Sequence, residues 1–200
     1  MRALRRCLLP AACLLAGCAS TPASYHTLVA PLRDAESAND LSTYAIEVAP
    51  IAMPAEVDRL ELVVRRRDGT IVLLENELWA APLADELRAA LRLGIQDRAD
   101  SALCERVRRD LRTFAVSMEI ERFESVVGDH AVIQARWQLR VTGSGYDVRV
   151  ARRSRAEESV GPGYASLVDG YQRAIREIAS DMADAAAQRL AQDGLSCGAG

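Results

Sequence analysis

Apolar and polar residues alternate along some stretches of this chain and fall at three- and four-residue spacing along others, and that switch separates strands from helices. Over residues 43–51, Tyr44, Ile46 and Val48 share one face of an extended segment, which Pro50 and Pro54 close. Residues 60–66 and 70–78 flank Asp68-Gly69, a pair that accepts the left-handed backbone of a tight turn, so these two runs are read as a hairpin. Pro82 then stands near the start of a helix predicted over residues 83–97, where its missing N–H costs nothing. Leu83, Leu87, Leu91 and Ile95 give that helix its apolar stripe.

The second half repeats the theme. Phe114, Val116, Met118 and Ile120 alternate with polar neighbours. Ile133, Ala135, Trp137, Leu139 and Val141 form another strand face, opposite Gln134, Arg136, Gln138 and Arg140. Thr142-Gly143-Ser144-Gly145 turns the chain, and Tyr146, Val148 and Val150 return antiparallel. After Gly161-Pro162-Gly163 a long helix is predicted over residues 164–192, with Leu167, Tyr171, Ile175, Ile178, Met182 and Leu190 on one stripe and Gly194 at its end. Two sets of strands, each followed by a helix, specify an α/β (α+β) two-layer domain: a mixed or antiparallel sheet with two main helices packed on it.

The amino terminus carries a different signal. Arg2, Arg5 and Arg6 precede an apolar run from Cys7 to Leu15, and Leu15-Ala16-Gly17-Cys18 follows. The run is far shorter than the roughly 20 residues that span a bilayer. Charged region, apolar region and small-residue site come in the order of an export signal, with the cysteine where a bacterial lipoprotein is acylated. The alternatives are a secreted chain with a chance cysteine near the cut, or a cytosolic chain with an apolar start. The lipoprotein reading divides the chain into a signal peptide (1–17), a lipidated Cys18 with a flexible Ser/Thr/Pro/Ala-rich tether (18–41), and one domain (42–200). Covalent diacylglycerol and an N-acyl chain on Cys18 anchor it, and no other cofactor is expected. Ala19, where an Asp would favour inner-membrane retention, points to the periplasmic face of the outer membrane.

Loss of the three leader arginines takes the formal charge from −3 to −6. A net acidic chain argues against nucleic acid as a partner. Every basic residue apart from two histidines is arginine. Once Cys7 and Cys13 leave with the signal and Cys18 is acylated, Cys104 and Cys197 remain as an even pair in an oxidising compartment. Either they form a disulfide, or both stay as thiols.

Catalytic constellations are hard to find. His26 falls in the tether and His130 in a turn between strands. No zinc spacing, nucleophile elbow or phosphate-binding loop occurs, so neither a metal site nor an enzyme is expected. Glu75/Glu77 and Glu119/Glu121 stand at strand spacing and read as solvated faces. Arg65-Arg66-Arg67 at the hairpin tip is either a solvated turn balanced by Asp68 and Glu61, or a contact for lipid phosphate or an acidic partner. Trp137 fits the apolar face of its strand. Trp79 is either core or an aromatic exposed to a partner at a sheet edge.

The run from Tyr44 through Pro50, Met53, Pro54, Asp58 and Arg59 to Arg65, followed by Trp79-Ala80-Ala81-Pro82-Leu83, resembles the signature of the ABC-type transport auxiliary lipoproteins, the PqiC-like family. Tyr25-His26-Thr27-Leu28 resembles that family's segment just after the lipidated cysteine. The resemblance covers nearly all of the mature chain. It implies a non-catalytic docking subunit of an MCE-type envelope lipid transport system, whose partner is a periplasm-spanning MCE-domain protein, and members of the family can assemble into homo-oligomeric rings. Met53, Asp58, Arg59, Trp79 and Pro82 are the candidate partner interface, with a local salt bridge or turn cap as the alternative role for Asp58 and Arg59. The rival function is a periplasmic carrier holding an apolar ligand in its own cavity.

Overall fold

The computed structural model describes residues 22–30 and 44–195. The expected signal peptide, Cys18, part of the expected tether and Cys197 lie outside them. Seven strands and three helices are formed among the described residues. They are β1 (Ser24–His26), β2 (Ala45–Val48), β3 (Glu61–Arg65), β4 (Ile71–Trp79), α1 (Leu83–Ala102), α2 (Glu105–Asp110), β5 (Leu111–Val126), β6 (His130–Gly143), β7 (Tyr146–Ser159) and α3 (Tyr164–Gln192).

The strands make two sheets, both mixed. A small one has the order β1-β4-β3 and a large one the order β2-β5-β6-β7. β1 runs parallel to β4 and β2 parallel to β5, while the other pairings are antiparallel. Asp68-Gly69 turns the β3–β4 hairpin, with Gly69 at φ 88° and the Asp68 carboxylate accepting the Thr70 N–H at 2.9 Å. α3 lies across β6 and β7 and packs on α1. Its whole predicted stripe, Leu167, Tyr171, Ile175, Ile178, Met182 and Leu190, is buried. At Gly170 the helix comes so close to the sheet that a Cβ would meet Val160 Cγ1 at 2.4 Å and Ala131 Cβ at 3.3 Å.

Trp137 is in the core, and its indole N–H donates to Ser154 Oγ at 3.0 Å, which in turn donates to Asp181 on α3 at 2.9 Å. A buried indole thus keeps its hydrogen bond by tying β6, β7 and α3 together. The β5–β6 register slips between Ile120 and Arg122. That extra residue lets Ile120 and Phe123, three apart, both be buried.

The structure corrects two boundaries and adds a helix. The segment expected to be tether contains β1, and Leu28 is 1 % exposed in the core. Serine-, proline- and alanine-rich composition masked a strand too short to alternate visibly. The first helix runs on to Ala102, beyond the predicted end at residue 97. α2 is a six-residue helix, shorter than two turns, and so leaves no periodic trace. Cys104 precedes α2 and is disulfide-bonded.

Candidate docking surface

Residues 54–60 build the turn that carries Asp58 and Arg59. The Pro54 carbonyl accepts the N–H groups of Val57 and Asp58 at 3.0 and 3.2 Å, and buried Val57 pins the turn to the core. Leu60 then accepts the Trp79 N–H at 2.7 Å, which sets this turn beside the end of β4. Asp58 is exposed, Arg59 is half-buried with its Nε unpartnered, and Pro82 caps α1 from an exposed position. Met53 is half-buried against the core.

Trp79 does not belong to that surface. Its side chain is 2 % exposed and stands edge-on to Phe123 and Tyr171, with ring centroids 6.4 Å from each. Phe123 and Tyr171 stack at 4.1 Å, and the Tyr171 hydroxyl shares a 2.7 Å hydrogen bond with Ser125. Trp79 therefore holds the small sheet against α3 and β5, and only Asp58, Arg59, Pro82 and the open part of Met53 are available to a partner.

The amino-terminal segment is the feature that sequence reasoning missed. β1 pairs with the end of β4, and the His26 ring meets Glu77 at 2.5 Å. Glu86, buried in the first turn of α1, accepts the Thr27 hydroxyl at 2.7 Å and the Leu28 N–H at 2.8 Å. Gln172 on α3 donates to the Thr27 carbonyl at 3.0 Å. Strand, two helices and core all grip the segment that leads out to Cys18. Tyr25-His26-Thr27-Leu28 was the one signal of it in the sequence.

On its face away from the helices the large sheet carries an open trough of about 630 Å³. Ala49, Ala115, Ser117 and Ala151 are among its small lining residues, and Glu47, Arg140 and Arg149 line it as well. On β5 Glu121 accepts hydrogen bonds from Gln134 at 3.0 Å, Arg136 at 2.8 Å and Arg153 at 2.8 Å. Those bonds, Gln134's foremost, hold its carboxyl down at about 2. His130 meets Glu124 at 3.1 Å and Asp129 at 3.6 Å, so its ring is engaged by carboxylates. Among the described residues no His/Cys/Asp/Glu group has metal-holding geometry, and no helix is long and apolar enough to cross a membrane.

Residues 26–183 match the family model of the ABC-type transport auxiliary lipoprotein component. The chain belongs to this family. Two solved structures share the auxiliary-lipoprotein fold. One is an uncharacterized protein at 20 % identity and TM-score 0.59, with 82 % of this chain and 97 % of that one covered. The other, a Xanthomonas campestris protein of family DUF330, has 14 % identity and TM-score 0.53, with 76 % of this chain and 89 % of that one covered. At such identities the likeness speaks for the fold alone. No curated protein matches the chain. The family match starts at His26, the last residue of β1, and so takes in Thr27 and Leu28, the residues that Glu86 holds.

Proposed function

We propose that this auxiliary lipoprotein is a non-catalytic docking subunit, anchored through acylated Cys18 at the periplasmic face of the outer membrane, for an MCE-type lipid transport system. Family membership over residues 26–183 carries the reading. The lipobox-like Leu15-Ala16-Gly17-Cys18, with Ala19 after it, supports the anchor and the membrane. The turn at Asp58 and Arg59 supports the docking role, because it presents charged groups from a rigid base at one end of the small sheet.

The carrier alternative gains no support from the interior. The gap between the helices and the large sheet, lined by Leu87, Leu91, Met118, Ile133, Ile175 and Ile178, is about 10 Å³. That is at most the room one water takes, far below an acyl chain.

The test is crosslinking of the tagged full-length protein in intact cell envelopes, followed by capture under denaturing conditions. An MCE-domain protein recovered with wild type, and reduced with Arg59→Ala or Asp58→Ala, is the expected result. Recovery of self-adducts alone would overturn the docking role. Membrane fractionation of Cys18→Ser tests the anchor separately: a variant that stays with the outer membrane as wild type does defeats lipidation there.

A further inference from the structure

Four large hydrophobic side chains are exposed among the described residues: Tyr25 at 69 %, Leu60 at 47 %, Ile71 at 46 % and Leu73 at 47 %. All four belong to the small sheet or its margin. Tyr25 is on β1, Ile71 and Leu73 are on β4, and Leu60 immediately precedes β3. On this sheet Leu62, Val64 and Trp79 face the core. Val63 alternates with core-facing Leu62 and Val64 on β3 and so faces away from the core, as do Leu73 and Ile71 across from Val63 and Arg65. The β3–β4 register shifts between Glu61 and Leu62, which returns Trp79 to the core side. On β1 Tyr25 precedes His26, the residue opposite Trp79, and so also faces away. An apolar face of this kind marks a contact surface.

What covers it follows from where the chain leaves the domain. Pro22 is four residues from Cys18, and a fully extended link of that length reaches only about 14 Å. β1, which the link enters, supplies the most exposed of the four side chains, and the clamp through Glu77 and Glu86 keeps it from swinging away. Acyl chains on Cys18 would therefore hold this edge of the sheet at headgroup depth. Tyrosine suits that depth, with an apolar ring and a wet hydroxyl. At the hairpin tip beside Ile71, Arg66 and Arg67 are exposed, with the Asp68 carboxylate near enough to feel the charge of Arg66. They are placed for phosphate. Glu61 and Glu75 also belong to this sheet, and the mature chain is acidic, so shallow seating by apolar contact fits better than long-range attraction.

We propose that the outer face of the small sheet rests on the phospholipid bilayer that holds the protein's own acyl chains, with Tyr25, Ile71 and Leu73 at the headgroup–acyl boundary. The inference rests on lipidation of Cys18 and adds an orientation to the proposed function.

The experiment uses lipidated full-length protein in vesicles of phosphatidylethanolamine and phosphatidylglycerol, with or without brominated acyl chains. Leu73→Trp and, independently, Tyr25→Trp report on the face, Arg149→Trp reports from the other sheet, and wild-type emission is subtracted. Floating protein whose Trp at 73 or 25 shifts to the blue and loses intensity to bromine, while Trp at 149 does neither, supports the proposal. Protein that floats with all three unquenched keeps the anchor and overturns the orientation. A blue shift without quenching, joined by self-crosslinking, means a second copy covers the face and also overturns it. Failure to float removes the anchor and the inference with it.

Discussion

Glu86 holds Leu28 across 58 residues of sequence: its buried carboxylate accepts the Leu28 N–H at 2.8 Å while also accepting the Thr27 hydroxyl at 2.7 Å. One side chain on α1 thus satisfies the backbone of the segment that leaves the domain, and does so where Leu28 is 1 % exposed. Removing it strands a buried donor. Glu86→Ala is expected to cost about 1–3 kcal/mol, and Glu86→Gln less, because the amide keeps one acceptor. Denaturant unfolding measures the cost, and limited proteolysis should show earlier cleavage within residues 22–30 than in wild type.

The Trp79 and Arg59 substitutions should separate structure from docking. Trp79→Ala empties a site 2 % exposed between Phe123 and Tyr171 and is expected to cost about 3–5 kcal/mol. Arg59→Ala should lower the unfolding free energy far less than Trp79→Ala, because its side chain is only half-buried and its Nε has no hydrogen bond to lose, and should lower partner crosslinking. Equal destabilisation by the two would contradict the assignment of Trp79 to the core.

The spacing between α3 and the large sheet is set at Gly170. Alanine is the better helix former by about 1 kcal/mol, yet its Cβ would stand 2.4 Å from Val160 Cγ1. Gly170→Ala is therefore expected to destabilise by about 1–3 kcal/mol net. Adding Val160→Ala removes the clash and should recover part of that loss, which a double-mutant cycle of unfolding free energies reads directly.

Glu121 gives the acid limb of stability a definite sign. Its carboxyl titrates ordinarily at 4.5 and in the fold at about 2, held there by Gln134, Arg136 and Arg153. A depressed folded value means the contribution is present at neutral pH and is lost as pH falls from 4.5 toward about 2. Unfolding midpoints of Glu121→Gln should show a flatter decline than wild type over that window.

Cys104 is disulfide-bonded, and Cys197 is the partner expected from the cysteine count. Non-reducing peptide mapping should recover the two in one linked species. By loop closure, Cys197→Ser should then cost roughly 4 kcal/mol. Recovery of Cys104 linked to another cysteine would exclude the pairing.

Most of the fold was legible because its signals are local. Asp68-Gly69 marked the β3–β4 hairpin, Trp137 and its alternate neighbours marked β6, and the stripe from Leu167 to Leu190 marked α3 to its observed ends. β1 and α2 were not legible, since three and six residues are too few for a period to show. Of the candidate surface, the turn at Asp58 and Arg59 could be placed from its prolines and charges, whereas Trp79 could be core or surface.

By itself the sequence determined the order of the longer strands and helices, the two-layer class, the signature of the auxiliary lipoprotein family and the lipobox-like start, all of which depend on residues near one another in the chain. Only the tertiary structure decided that Trp79 is covered by Phe123 and Tyr171, that Glu86 reaches Leu28, and that Tyr25, Ile71 and Leu73 are left bare. Burial and partner choice depend on which distant segments meet, and β1 enters the small sheet parallel to β4 from more than 50 residues away, a pairing that no local pattern encodes.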